Sequence, residues 1–463
     1  MVKEEQIDIS EKISYGLGDA ASSMFWKIFS MYLLFFYTDV FGLAAAMVGT
    51  MFLVTKIWDS LFDPFVGVIS DRVETRWGKF RPFLLWVAVP FAALGAITFL
   101  TPSFSVSGKL VYAYVTYSLM MMVYSLINVP YASLLGVMSA DGKVRTTLAS
   151  YRMVFAFAGG LVALWAIEPL VKHFGDGTLT SQHGWFMAIV VFGVVSILLF
   201  LGCFAGTMER IKPIQEKTNL KDDLKDLIAN RPWWILLGAG VATLVFNTIR
   251  DGGAIYFFKY YIGENDSNNI HLWGVSMSLT SAYLVLGQAA NIVGVVSATP
   301  LSNKIGKKNT FFWAMLIASV LSVVFYFVPK DCVSSLMLLQ FLISICAGAI
   351  FPLLWSMYAD TADYSEWKQG RRATGLVFSA SSMSQKLGWA LGGALTGWLL
   401  ASFGFKANLA QSATALDGIR WMLSLLPAVG SIVSMIFILF YPLDEYKLAE
   451  ITQALNNKRS QKS

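Results

Sequence analysis

Apolar stretches of about 20 residues, long enough to cross a bilayer as helices, follow one another through most of this 463-residue chain. Only short polar connectors separate them, which leaves no room for a large soluble domain. Charged residues make up 14% of the sequence and hydrophobic ones 56%, whereas soluble domains carry about 25% charged residues. In lipid, backbone N–H and C=O groups must be satisfied internally, and a helix does this within one segment. The expectation is an all-α integral membrane protein. Twelve spans can be placed, near 14–38, 45–70, 82–101, 109–137, 148–171 and 184–207, then 233–261, 272–299, 310–328, 334–359, 373–402 and 418–441. Asn128 and Pro130 leave span 4 open to a break. The polar, acidic N-terminus does not resemble a cleavable signal, so span 1 is expected to be structural.

An even number of spans puts both termini on one side, and the basic residues say which. Arg72, Arg76, Lys79 and Arg81, then Lys143 and Arg145, the 208–231 segment, Lys304, Lys307, Lys308, Lys368, Arg371 and Arg372 share the side of the termini. The opposite loops hold Lys109, Lys172, Lys330 and Lys406, so the termini are expected to be cytoplasmic. This location explains the +6 net charge without a nucleic-acid partner, and nothing implies an obligate protein partner beyond membrane lipid. The expected organisation is a six-helix bundle over 1–207, a cytoplasmic linker over 208–231, a second six-helix bundle over 232–441 and a cytoplasmic tail over 442–463. Short basic, glycine-containing turns after spans 2 and 8 (Arg76-Trp-Gly78-Lys79 and Lys304-Ile-Gly306-Lys307) echo each other, as in duplicated transporters. Cys203, Cys332 and Cys346 read as small core residues. His173, His183 and His271 fall in expected loops, which argues against a His-based metal site.

Some spans carry charges where lipid excludes them. At roughly 100° per residue, Lys56, Asp59 and Asp63 lie within about 60° of one another on one helix face. Such a stripe must face a protein-lined or watery interior, where it handles ions or a polar solute. Asp59 and Asp63 are one turn apart, and two carboxylates so close in low dielectric need a proton, a cation or a basic partner. The competing reading is a salt-bridge cluster with Lys56 or Lys27. Arg250-Asp251-Gly252-Gly253 interrupts span 7; an Arg250–Asp251 pair is the simpler expectation, with the glycines a candidate hinge.

Seven segments, in order, resemble the glycoside–pentoside–hexuronide:cation symporters, the melibiose-permease-like branch of the major facilitator superfamily. They are Lys12-Ile-Ser-Tyr-Gly-Leu-Gly-Asp19, Phe36-Tyr-Thr-Asp39, Trp58-Asp59-Ser-Leu-Phe-Asp63-Pro64, Arg76-Trp-Gly-Lys-Phe-Arg-Pro82, Asn128-Val-Pro130-Tyr131, Asp360-Thr-Ala-Asp363-Tyr364 and Lys386-Leu-Gly388. Within that family the chain is more similar to glycoside porters than to melibiose permease. The resemblance implies two six-helix bundles around a cavity open alternately to either side. It implies a coupling-cation site at Asp59 and Asp63, with Ser125 as the hydroxyl ligand on span 4. Phe62 and Asn128 stand where sodium-binding members have an oxygen ligand and a carboxylate. Sodium prefers several oxygens, so the coupling ion is expected to be H+, with Na+ at Asp59 and Asp63 the alternative; no other cofactor is implied.

The resemblance also places the sugar-binding positions at Asp19, Asn128, Arg152, Ser382 and Lys386. Trp355 is a candidate aromatic plate for a sugar ring. Gly18 stands where melibiose permease has a basic residue, which makes an ordinary galactoside a poorer candidate. Ser379, Ser382, Lys386, Ala390, Gly393 and Gly397 form a small or polar stripe that suits close packing. Asp71, Arg72, Arg76, Arg145, Asp363 and Arg371 are candidate cytoplasmic gate residues, pairing only when that side is shut; positive-inside topology accounts for many of the same positions. The functional expectation is a symporter for a glycoside or other sugar. A hexuronide or sugar-acid porter, served by Lys27, Arg152, Arg250 and Lys386, and a transporter-like sugar sensor are the alternatives. A membrane enzyme lacks a visible nucleophile–base pair, and a channel would need a continuous polar pore.

Overall fold

Helices occupy nearly all of the computed structural model, which describes residues 7–139, 142–210, 225, 227–263, 270–272, 275–369 and 374–460. They are α1 (Ile9–Phe35), α2 (Ala45–Arg72), α3 (Arg81–Thr98), α4 (Val106–Met138), α5 (Gly142–Phe174), α6 (Gln182–Gly206) and α7 (Arg231–Tyr256). After a two-stranded hairpin, β1 (Ile270–Leu272) and β2 (Val275–Met277), come α8 (Leu279–Ile305), α9 (Lys307–Phe327), α10 (Val333–Gln369), α11 (Thr374–Ser402), α12 (Ala413–Leu423), α13 (Leu425–Leu439) and α14 (Glu445–Ser460). Among the described residues, 10 helices are long and apolar enough to cross a membrane. Two more, α1 with 27 residues and α11 with 29, have the length.

α4 runs through Pro130 without a break. Proline removes one helical N–H, but the turns beside it are reinforced: the Asn128 amide donates to the Tyr124 carbonyl and the Ser133 hydroxyl to the Val129 carbonyl, both at 3.0 Å. The expected span 12 is instead divided. Ser424 adopts φ −127° and ψ −89° between α12 and α13, and Pro427 sits in the first turn of α13, where its missing N–H costs little.

Two units emerge from the packing. The first comprises residues 1–215 with 264–285 and 405–410, and the second 216–263, 286–404 and 411–463. In the first, α1 packs on α5 and α6. Gly159 permits this, because a Cβ there would stand 2.5 Å from the Ala20 carbonyl oxygen. In the second, α7 packs on α11 and α13. The close approach uses Gly388 and Gly392, whose added Cβ atoms would meet Leu244 at 2.9 Å and Thr248 at 2.5 Å. The expected stripe through Ser382 and Lys386 is therefore not this packing face: Ser382 is exposed and Lys386 half-buried, although Ala390 is buried. Small residues occur on both faces of α11, and spacing alone does not rank them.

The echo between halves extends beyond the basic turns. α1 ends in a π-helical turn, Phe36–Val40, and α7 in another, Phe257–Ile262. Each is followed by a left-handed glycine, Gly42 (φ 83°) and Gly263 (φ 77°). The starts of α3 and α9 match too. Gly78 (φ 109°) precedes α3, and the Glu209 carboxylate accepts the backbone N–H groups of Lys79, Phe80 and Arg81 at 2.8, 2.7 and 2.9 Å. Gly306 (φ 84°) precedes α9, and Glu445 accepts the Lys307 N–H at 3.0 Å. A carboxylate satisfying the orphan donors of a helix start is favoured by the helix dipole as well. Glu209→Gln should cost about 2 kcal/mol, the scale of hydrogen bonds to a charged acceptor, and a thermal melt in detergent should register it as a Tm several degrees lower.

Some residues lie where spacing did not put them. His173 and His183 fall at the ends of α5 and α6, and His271 in β1, rather than in loops; helices here extend a few residues past their apolar cores. Cys203 is buried and Cys346 half-buried, but Cys332 is exposed. It sits just before α10, its carbonyl accepting from Ser335 and Leu336 at the helix start.

Candidate functional site

α2 presents two unlike faces. Val54, Ile57, Trp58, Leu61, Phe65 and Ile69 are exposed, at the spacing of one helical stripe. The opposite side buries Lys56, Asp59 and Ser60. The apolar stripe suits lipid, and the charges are turned away from it. Asp59, 1% exposed, accepts a hydrogen bond from the Ser125 hydroxyl of α4 at 2.7 Å. The Lys56 ammonium lies 4.0 Å from the other Asp59 oxygen, 3.0 Å from the Met121 sulfur and 4.1 Å from the centroid of the Trp26 ring. Asp63 follows one turn later and is half-buried. The salt-bridge reading and the ion-site reading thus meet in one cluster: an ammonium beside a carboxylate that also holds a hydroxyl.

A second ion pair lies on α1 and α5. The Arg152 guanidinium donates through Nε to Asp19, with a further contact from Nη2 at 3.4 Å. The guanidinium also lies over the Tyr131 ring, 4.8 Å from its centroid, an arrangement that suits a planar cation. Tyr131 donates its hydroxyl to the Tyr15 carbonyl at 2.6 Å, and the two rings lie 4.9 Å apart. A Cβ on Gly18 would come within 2.5 Å of the Tyr131 ring. Glycine at this position is therefore a packing requirement, because any side chain would displace the ring that supports Arg152.

Tyr124 links the two pairs. Its ring lies 5.5 Å from that of Trp26, its carbonyl holds the Asn128 amide, and its phenol lies within electrostatic reach of Asp19, Asp59, Asp63 and Arg152. Asp19, Asp59, Asp63, Ser125, Asn128 and Arg152 accordingly gather within the first unit. Trp26, Tyr124, Met121 and Tyr131 join them without having been assigned a role from sequence. Trp26 is two turns beyond Asp19, and Met121 one turn before Ser125, so helical spacing from flagged residues was the available signal.

The second unit holds the other expected residues. Lys386 is half-buried and Ser382 exposed on α11. Trp355 on α10 is half-buried and meets Tyr358 edge-on at 6.3 Å. Arg250 is 2% exposed, and its guanidinium donates to Gln340 at 2.6 and 3.0 Å and to Ser322 at 3.4 Å. The Arg250 fork thus reaches acceptors far along the chain.

Of the gate residues, Arg72 and Arg76 are exposed, Arg76 lying over Trp77 at 4.5 Å. Asp363 is half-buried. Arg371 lies outside the described residues, as do the side chains of Asp71 and Arg145. Two charged groups close to these positions in the sequence are bound within their own units. Asp360 pairs with Lys307 at 2.7 Å, and Arg81 donates to the Phe204 and Trp77 carbonyls at 2.6 and 3.2 Å. Both stand beside the ends of α9 and α3, where local acceptors are nearest.

Helices that turn an oily stripe outward and bury paired charges suit a membrane transporter, and comparison with known proteins gives the family. Residues 14–445 match the MFS/sugar transport protein family. The putative glycoside/cation symporter YagG of Escherichia coli K12 is 35% identical over 98% of this chain and 96% of its own. The isoprimeverose transporter of Lactiplantibacillus pentosus is 37% identical over 98% of this chain and 93% of its own. The inward-facing, unoccupied crystal structure of a bacterial homologue of the human lysosomal transporter Spinster superposes with a TM-score of 0.68, at 14% identity, over 94% of this chain and 98% of that one. The chain belongs to the major facilitator sugar transporters, in the glycoside–pentoside–hexuronide:cation symporter family.

Proposed function

We propose that this protein is a twelve-helix symporter of a bacterial inner membrane, with cytoplasmic termini. It imports a glycoside or another mono- or oligosaccharide by alternating access, coupled to H+, with Na+ as the alternative ion. α1 and α11 complete the count of spans. The observation that carries the reading is Asp59, fully buried beside Lys56 and bound to Ser125 on the inward face of α2. A buried carboxylate is expensive to keep charged, so ion arrival and departure there change how firmly α2 and α4 are tied. Asp63 completes the coupling pair.

Sugar recognition is assigned to Asp19, Arg152 and Asn128 in the first unit and to Ser382, Lys386 and Trp355 in the second. The Asp19–Arg152 pair offers donors and an acceptor suited to vicinal hydroxyls. Trp26 is a further candidate for the aromatic plate, since a sugar's C–H face packs well on indole. A sugar-acid substrate is less well supported: Arg152 is matched by Asp19, and the Arg250 guanidinium is 2% exposed and engaged by Gln340, so neither is offered free to a carboxylate. The two relatives described above, a putative glycoside/cation symporter and an isoprimeverose transporter, favour a neutral glycoside. We assign Asp71, Arg72, Arg76, Arg145, Asp363 and Arg371 to the cytoplasmic gate.

The choice of ion rests on Lys56. Its ammonium already occupies one side of Asp59, Phe62 supplies no side-chain oxygen, and Asn128 adds no charge, so a proton fits better than a cation needing several oxygens. Uptake of radiolabelled glucosides, galactosides, xylosides and glucuronides into vesicles tests both substrate and ion. Uptake is expected to persist with sodium removed and to stop when the proton gradient is collapsed; loss on sodium removal alone would reverse the assignment.

A further inference from the structure

A buried acid outside the charged stripe of α2 lies on α5. Glu168 lies near the end of α5, inside the apolar run of span 5, and is 1% exposed. Its carboxylate accepts the Tyr32 hydroxyl of α1 at 2.9 Å and the Ser278 hydroxyl. Ser278 immediately precedes α8, and its oxygen also accepts the Ser281 N–H at 3.0 Å, as a helix cap does. The Ser281 hydroxyl in turn donates to the Leu164 carbonyl of α5 at 2.9 Å. Glu168 is thus held from its own side by Tyr32 and from the other by the capped start of α8.

That start belongs to a stretch, residues 264–285, that groups with the first unit although the rest of α8 belongs to the second. A second late segment, 405–410, does the same. Its Asn408, with φ 57°, is among the described residues the one non-glycine in the left-handed region, and it donates to the Asp39 carbonyl at 2.6 Å. Both attachments lie at helix ends opposite the basic turns.

We infer that Glu168 is a releasable fastening, a positioning residue that holds the start of α8 against α1 and α5 in one stage of the transport cycle and lets it go in another. This rests on the alternating-access reading above. The chemistry suits repeated opening. Separating apolar surfaces exposes them to water at full cost, whereas a carboxylate leaving Ser278 can take water in its place while keeping Tyr32.

The test is accessibility. Ser281→Cys, 0% exposed in the fastened form, is introduced with Cys332→Ser, and an impermeant maleimide is added from the side opposite the basic turns. Glu168→Gln should raise the labelling rate about tenfold or more, the factor for one lost hydrogen bond to a charged group. Ser278→Ala should do likewise, and Glu168→Asp should restore part of the protection. Unchanged labelling in both Glu168→Gln and Ser278→Ala, at normal membrane abundance, overturns the inference. Labelling needs no substrate, so absence of sugar uptake by the parent protein would fault the transport reading instead.

Discussion

Replacing Asp59 by Asn is expected to abolish accumulation of sugar against a gradient while leaving sugar binding and exchange measurable. The substitution keeps the shape and the Ser125 hydrogen bond but removes the charge that Lys56 faces at 4.0 Å. A site that no longer changes charge on ion arrival has no reason to move between states with the ion, though each state can still take up sugar. Truncation to Ala would confuse the result, because a cavity and an unmatched Ser125 hydroxyl would be added to the loss of charge. Counterflow and active uptake in the same vesicles separate the two behaviours. Active uptake at the parent rate would refute the assignment.

The second large effect is expected at Arg152. Arg152→Ala should lower sugar affinity at least 100-fold, because it leaves Asp19 without its partner, and breaking such a pair costs about 3–5 kcal/mol. Arg152→Lys should recover little, since lysine supplies neither the planar stack on Tyr131 nor the forked donors. Combining Arg152→Gln with Asp19→Asn should be milder than the sum of the two, the mark of direct coupling. Isothermal titration or fluorescence displacement with the transported sugar provides the constants; additive effects would show that the pair does not act as one unit in binding.

Periodicity made the membrane helices legible, because about 20 apolar residues admit few other structures. It also put Lys56, Asp59 and Asp63 on one face, and the exposed stripe from Val54 to Ile69 on the other side of α2 bears that out. What spacing does not contain is which small residue touches which helix: on α11 it is Gly388 and Gly392 that approach α7. Nor does it contain partners distant in the chain. Glu209 under α3, Tyr131 beneath Arg152 and Ser278 on Glu168 are all long-range contacts, and a lone residue in a loop or an aromatic in an apolar run carries no mark of them. Arg250 shows the same limit, since Gln340, which accepts from its guanidinium, lies far along the chain.

The central claim is that sugar and ion cross together through a site governed by Asp59. Adding the transported sugar to de-energised vesicles in lightly buffered medium, with pH and sodium electrodes in place, tests it without any imposed gradient. The account predicts an alkaline shift on sugar addition that is absent in Asp59→Asn. Sugar entry with no movement of either ion would contradict it.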